Sequence, residues 1–120
     1  MSNAMIKIDD TSDLDHLEKE AMDSVEAQFQ IGMRYMRGIV EPREYEEGFD
    51  WLQIAAKNNH PYAQFRLGMA YFLGHGVKKD LFEAAIWFSA AVAQDVDPAI
   101  PALELVRQEW RQRVAQSKIE

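Results

Sequence analysis

The stretch LGMAYFLGHGVKKD, residues 67–80, decides how this chain folds. It carries glycines at positions 68, 74 and 76, ahead of Asp80. Glycine at this density is found in loops that cradle a phosphate and at elbows between packed helices. A phosphate loop needs a preceding strand and usually ends in lysine followed by serine or threonine. GHGVKKD has neither, so the stretch favours a helical elbow.

An internal repeat supports the elbow. Shifted by 36 residues, the chain matches itself without a gap, and the segments 27–62 and 63–98 share ten identical positions. AQFQIGMRYMRG at 27–38 aligns with AQFRLGMAYFLG at 63–74, and Trp51 aligns with Trp87. Self-similarity at a period of roughly 20–50 residues is typical of solenoids. We therefore expect each repeat to fold as a pair of helices.

The residues of the elbow have mechanical roles in such a pair. Gly68 lies beside the apolar stripe of its helix, where the missing side chain lets another helix approach closely. Gly74 is predicted to end that helix in the left-handed conformation, which costs glycine no steric penalty. Asp80 and Glu83 form a start signal for the following helix.

The pattern resembles the Sel1-like repeat family, relatives of the tetratricopeptide repeats. The resemblance is strongest over 63–98, at Ala63, Leu67, Gly68, Tyr71, Gly74, Gly76, Val77, Asp80, Ala84, Trp87, Phe88 and Ala91. Repeat 27–62 departs from the family pattern at Val40, Glu41, Glu44 and Gly48. The resemblance implies an all-α fold, a short right-handed α–α superhelix of about six helices. It also implies an adaptor without catalysis or cofactor, which holds protein partners on the surface lined by the first helix of each repeat.

We expect one domain over residues 5–120. Residues 1–4 resemble the remnant of an expression tag ahead of Met5 and are excluded from the fold. Residues 12–26 are predicted to be an N-terminal capping helix, followed by the repeats 27–62 and 63–98. An apolar stripe through residues 99–116 predicts a C-terminal capping helix, with Trp110 expected in the core.

Composition excludes several classes of protein. The chain has no cysteine and a net charge of −7, of which residues 5–26 contribute −6. Without a basic stripe it is a poor nucleic-acid binder, and no apolar run approaches the length of a membrane span. The N-terminus has no signal-peptide pattern, so we expect a cytoplasmic protein. Its three histidines are scattered and expected at the surface, and no metal-site spacing or nucleophile motif is present, so we predict that the chain is not an enzyme.

The first helix of each repeat carries a second apolar face, opposite the stripe that packs inside the repeat. This face either contacts the neighbouring repeat or lines a groove for a peptide, to which methionine and phenylalanine adapt well. Arginines flank it as a cationic rim. The candidate partner-binding residues are Phe29, Met33, Met36, Phe65, Met69, Phe72, Arg34, Arg37 and Arg66.

Two functions remain open at this stage. The first is a protein-interaction adaptor whose acidic N-terminal segment favours a basic protein or peptide, acting as a homodimer or in a larger complex. The second is an acidic immunity or inhibitor protein that neutralises a basic toxin or enzyme by charge and shape.

Overall fold

The computed structural model describes residues 24–37 and 42–119, which fold into five helices. They are α1 (Val25–Arg37), α2 (Pro42–Lys57), α3 (Pro61–Leu73), α4 (Leu81–Ala93) and α5 (Ala99–Ile119). No strand occurs in these residues, so the predicted all-α class is confirmed. The predicted N-terminal capping helix, 12–26, lies outside the described residues as far as residue 23, and its last two residues belong to α1.

Each helix packs against the next one along the chain, and α3 also touches α5. Packing of each helix on the next, from one repeat to the following one, is the arrangement of a solenoid. The fully buried large side chains are spread along the stack rather than gathered at one centre: Ile31 in α1, Leu52 in α2, Leu67 in α3 and Phe88 in α4.

Two glycines set the distance between the helices of each pair. A Cβ added at Gly68 would lie 2.6 Å from the ring of Phe88, and one added at Gly32 would lie 3.0 Å from Leu52. Leu52 and Phe88, the side chains that pack against these glycines, are 36 residues apart, and so are the two glycines. The predicted role of Gly68, making room for a neighbouring helix, is confirmed.

The elbow between α3 and α4 has the predicted geometry. Gly74 ends α3 with φ 75°, and its N–H donates to the carbonyl of Ala70 at 2.8 Å. Gly76 also has a positive φ, 78°. Asp80 begins α4, because its side chain accepts the backbone N–H of Glu83 at 3.0 Å. The glycine-rich stretch is therefore a helical elbow.

The first helix of each repeat begins at an equivalent cap. Ser24 Oγ accepts the N–H of Ala27 at 3.1 Å, and 36 residues later His60 Nδ1 accepts the N–H of Ala63 at 3.1 Å. His60 is buried, so the expectation that every histidine lies at the surface was wrong for this one. Its ring replaces the usual serine or aspartate cap and, being larger, fills the joint between α1 and α3 as well.

A second repeated contact ties each first helix to the end of its partner helix. Asn58 Nδ2 donates to Gln28 Oε1 at 3.1 Å, and Gln94 Nε2 donates to Gln64 Oε1 at 2.9 Å. Both members of the second pair lie 36 residues after those of the first. These side chains satisfy polar groups in a largely apolar interface, where an unpaired one is costly.

The last helix is longer than the helix it packs on. α5 has 21 residues and α4 has 13, so the C-terminal turns of α5 extend past the core. Trp110 is 53% exposed, and the expectation that it lies in the core was wrong. Trp51 and Trp87, which recur at repeat spacing, are instead partly buried against the core.

Candidate partner-binding groove

A groove of about 400 Å³ lies between the first helices of the two repeats. Residues of α1 and α3 form its sides, α2 contributes its floor, and the α3–α4 elbow contributes one end. The lining residues are Met33, Met36, Arg37, Tyr45, Leu52, Arg66, Met69, Ala70, Leu73 and His75. The first helices thus come together only in part and leave their C-terminal halves separated.

The inner surface of the groove is apolar and rich in methionine. Met33 is buried, Met36 and Met69 are partly buried, and Leu73 is 48% exposed at the edge. Methionine is unbranched and polarisable, so such a surface can adapt to side chains of different shape. Apolar groups that stay open to solvent are a recognised feature of interaction sites.

Two arginines border this apolar surface from opposite helices. Arg37 extends from α1 and Arg66 from α3, and both are exposed. Within residues 24–37 and 42–119, neither forms an ion pair, and no aspartate or glutamate lines the groove. The Arg66 guanidinium lies 5.8 Å from the centre of the Phe65 ring. The predicted third arginine, Arg34, is exposed but does not line the groove.

Two stacked rings close one end of the groove. The ring of Tyr45 in α2 lies 4.8 Å from that of His75 in the elbow, at an interplanar angle of 24°. Neither residue was among the predicted site residues, and neither were Leu52, Ala70 and Leu73. A repeat alignment gives no signal for them, because Tyr45 and His75 meet only when the second elbow folds back onto the first repeat.

The three candidate phenylalanines pack elsewhere. Phe29 stacks on His60 with ring centres 4.3 Å apart, and Phe65 contacts Phe88 with centres 5.8 Å apart. Phe72 packs against the core of α4 and α5, with the Lys79 ammonium 5.1 Å from its ring centre. Of the nine candidates, the structure brings five together around the groove: Met33, Met36, Met69, Arg37 and Arg66.

A polar contact holds α1 and α3 together at the other end. Glu26 Oε1 lies 2.7 Å from His60 Nε2, and Gln30 Nε2 donates to Glu26 Oε2 at 2.7 Å. Since Nδ1 of His60 accepts the cap hydrogen bond, Nε2 carries the proton that Glu26 accepts. Hydrogen bonds from Gln30 and then from His60 hold the pKa of the Glu26 carboxyl below its ordinary value. The groove opens only beyond this contact.

A second cavity, of about 290 Å³, lies between α4 and α5. Phe82 and Trp110 border it, together with Arg107 and Arg111. These arginines lie 3.9 Å and 3.5 Å from the carboxylate of Glu104. The arginines of this second cavity therefore already face a carboxylate, unlike Arg37 and Arg66 in the groove between α1 and α3.

No other chemical site emerges from the described part of the chain. No three of its histidine, aspartate and glutamate side chains are grouped closely enough to hold a metal ion. None of its helices is both long and apolar enough to cross a membrane.

Comparison with known families matches the Sel1 repeat model twice, at residues 25–60 and 61–96. The chain belongs to the Sel1 repeat family. Each matched Sel1 repeat begins with the first helix of a pair, α1 or α3; the first match ends at His60, the cap of α3, and the second ends at Val96, between α4 and α5. The predicted family resemblance is confirmed, and the division of the rest of the chain into two caps stays a prediction.

Two solved Sel1 repeat structures resemble the chain. One is c5321, a protective antigen of uropathogenic Escherichia coli with an SLR fold, at TM-score 0.72 and 32% identity, covering 79% of this chain and 20% of that one. The other is a Sel1 repeat protein from Oxalobacter formigenes, at TM-score 0.66 and 32% identity, covering 75% and 37%. These matches confirm the predicted fold, a short right-handed α–α superhelix.

Two larger proteins are similar to this chain in sequence. An ERAD-associated E3 ubiquitin-protein ligase component, HRD3B of Arabidopsis thaliana, is 36% identical over 55 residues, 45% of this chain. Chitin synthase regulatory factor 3 of Schizosaccharomyces pombe is 28% identical over 111 residues, 87% of this chain. The chain spans only 9% and 12% of the length of these relatives.

Proposed function

We propose that this chain is a non-catalytic interaction module that binds a protein segment in the groove between α1 and α3. The observation that carries the proposal is the methionine-lined surface there, which packing between the repeats leaves open. A helix or extended peptide laid along such a groove gains affinity by covering apolar groups and specificity from the polar groups at the border.

The relatives support an adaptor role by analogy. One is named as a component of a ubiquitin ligase and the other as a regulatory factor of an enzyme. Both descriptions fit proteins that act by contacting other proteins, although this chain matches a small part of each. Cytoplasmic residence, the expectation from the sequence, belongs to the same proposal.

Affinity capture with groove variants tests the proposal. The Met36→Gln/Leu73→Gln variant keeps side-chain size and net charge while making the groove polar, and neither residue is fully buried. The control is Ile54→Gln/Ile86→Gln, which alters two apolar residues of similar exposure, 43% and 45%, away from the groove. We expect proteins captured from a lysate of the source organism to be lost with the groove variant and kept with the control. Thermal melting establishes that both variants fold.

Partners that bind both variants equally well would contradict the groove. The second candidate, an acidic inhibitor, would act through residues 5–26, which lie largely outside the described residues. A partner that both variants retain and that moderate salt releases would favour that function, because exposed charge pairs are screened by salt.

A further inference from the structure

We propose that the segment bound in the groove is acidic, with aspartate or glutamate side chains on both sides of one apolar residue. This inference rests on the proposed function and adds the chemistry of the partner. The sequence favoured a basic partner because of residues 5–26, but the charge around the groove has the opposite sign.

The charge of the groove is local. The whole chain has a net charge of −7, yet Arg37 and Arg66 line the groove and, among the residues that the structure describes, no aspartate or glutamate does. A positive surface on an acidic protein is not a consequence of composition. It concentrates a potential that attracts carboxylates and disfavours basic segments.

Arg37 and Arg66 also differ from the cations that form ion pairs in the described ranges. Arg107 and Arg111 lie near Glu104, while Arg113 and Lys79 contact Glu109 at 3.1 Å and 2.9 Å. Arg37 and Arg66 have no such partner within the described ranges. Their guanidinium groups keep the planar set of donors with which arginine binds carboxylates in bidentate fashion.

The geometry calls for two carboxylates rather than one. Arg37 extends from α1 and Arg66 from α3, and both line the groove together with Met36 and Met69. A segment that places one apolar side chain on Met36 and Met69 positions its flanking residues toward the two arginines. Acidic side chains before and after the apolar residue satisfy both, whereas a single terminal carboxylate satisfies one.

A role in stabilising its own helix can account for only one of the two arginines. Arg37 lies in the last turn of α1, where a cation complements the partial negative charge of the helix end. Arg66 lies in the middle of α3 and has no such role. Its guanidinium lies 5.8 Å from the centre of the Phe65 ring, and it forms no ion pair within the described ranges that would account for its charge.

Selection from a random peptide library displayed on phage, against the full chain, tests the inference. Selected sequences are made as acetylated and amidated peptides, which excludes a role for a free terminal carboxylate. Kd values are measured by fluorescence anisotropy at two salt concentrations. Arg37→Glu/Arg66→Glu is the test variant. Lys57→Glu/Lys118→Glu, two exposed lysines far from the groove, is the control with the same change in net charge.

We expect selected peptides to carry aspartate or glutamate around an aliphatic or aromatic residue. Their Kd should rise at least about tenfold in the Arg37→Glu/Arg66→Glu variant and less than about twofold in the control. A second selection against the arginine variant should yield basic peptides.

Two contrary results are distinguishable. Neutral or basic peptides that Met36→Gln/Leu73→Gln no longer binds would overturn the acidic partner and leave the groove as the binding site. Peptides that bind this variant unchanged, or a library that yields none, would overturn the groove and the proposed function with it.

Discussion

The two Sel1 repeats have the same plan but different elbows. Repeat 2 has Gly76 where repeat 1 has Val40. A Cβ added at Gly76 would overlap the carbonyl oxygen of Tyr45 in α2 and approach Phe49. The glycine therefore serves the contact between repeats, because the elbow of repeat 2 packs against the second helix of repeat 1.

The largest expected effect is that of Gly76→Ala. The change combines a positive φ, which costs a non-glycine residue about 1–2 kcal/mol, with overlap on a backbone atom that cannot rotate away. We expect a loss of about 2–5 kcal/mol in the free energy of unfolding, measured by urea denaturation.

Gly74→Ala is the matched control for this prediction. Gly74 has a similar φ, 75°, but an added Cβ would meet its nearest atoms at 3.6 Å, an ordinary contact. Its loss should be about 1 kcal/mol, from backbone strain alone. Equal losses at the two glycines would show that the elbow does not pack closely on α2.

The second prediction compares the helix crossings of the two repeats. Gly68→Ala forces a Cβ against the fully buried ring of Phe88, whereas Gly32→Ala meets the more flexible Leu52. Overpacking lowers the free energy of unfolding by about 1–3 kcal/mol, and the higher helix propensity of alanine offsets about 1 kcal/mol of this loss. We expect Gly68→Ala to destabilise by about 1–2 kcal/mol and Gly32→Ala to be nearly neutral.

A double mutant separates this cause from a general effect of alanine. Phe88→Leu gives repeat 2 the side chain that repeat 1 has at this crossing. If the ring is what Gly68→Ala clashes with, the substitution should cost less in the Phe88→Leu background than in the wild type. An unchanged cost would mean that the backbone, and not the ring, resists the added methyl group.

Sequence alone predicted the fold because the residues that determine it act locally. Gly74 and Asp80 end and begin helices through contacts within their own turns. Gly68 faces Phe88 inside one repeat, and 36 residues earlier Gly32 faces Leu52 in the same way. The 36-residue period was therefore sufficient to predict the fold.

The groove was less predictable because it depends on how far neighbouring helices separate. A helical wheel gives the direction of a side chain but not the distance to the next helix. It assigned Phe29 and Met36 to the same face, yet Phe29 packs on His60 where α1 and α3 meet, and Met36 lies where they are apart. Nothing in the repeat pattern indicated that His60 would both cap α3 and fill this joint.

The third prediction concerns the tryptophan outside the repeats. Trp110 is 53% exposed, while Trp87, at the repeat position, is partly buried against the core. Trp110→Ala should lower the free energy of unfolding by about 1 kcal/mol or less, well below the several kcal/mol typical of a buried tryptophan. Thermal or urea melts of Trp110→Ala and Trp87→Ala check this order, and a reversed order would place α5 differently on α4.

The smallest effect belongs to the contact that joins the two repeats at Glu26. In repeat 2 the positions equivalent to Glu26 and His60 hold Tyr62 and Val96, so this pair does not recur. Because hydrogen bonds from Gln30 and His60 lower the pKa of Glu26 in the folded state, its contribution is present above the ordinary value of 4.5 and is lost as the pH falls through the lowered pKa.

Glu26→Gln should therefore be less stable than the wild type near neutral pH, and the difference should shrink as the pH falls through the lowered pKa of Glu26, below which the wild-type carboxyl is also protonated. The effect is modest, since the Glu26 side chain is 62% exposed and solvent screens its charge. Urea denaturation of both proteins across this range measures it, and Glu47→Gln, at another exposed glutamate, is the control. A difference that stays constant with pH would mean that Glu26 joins the repeats through its shape and not through its charge.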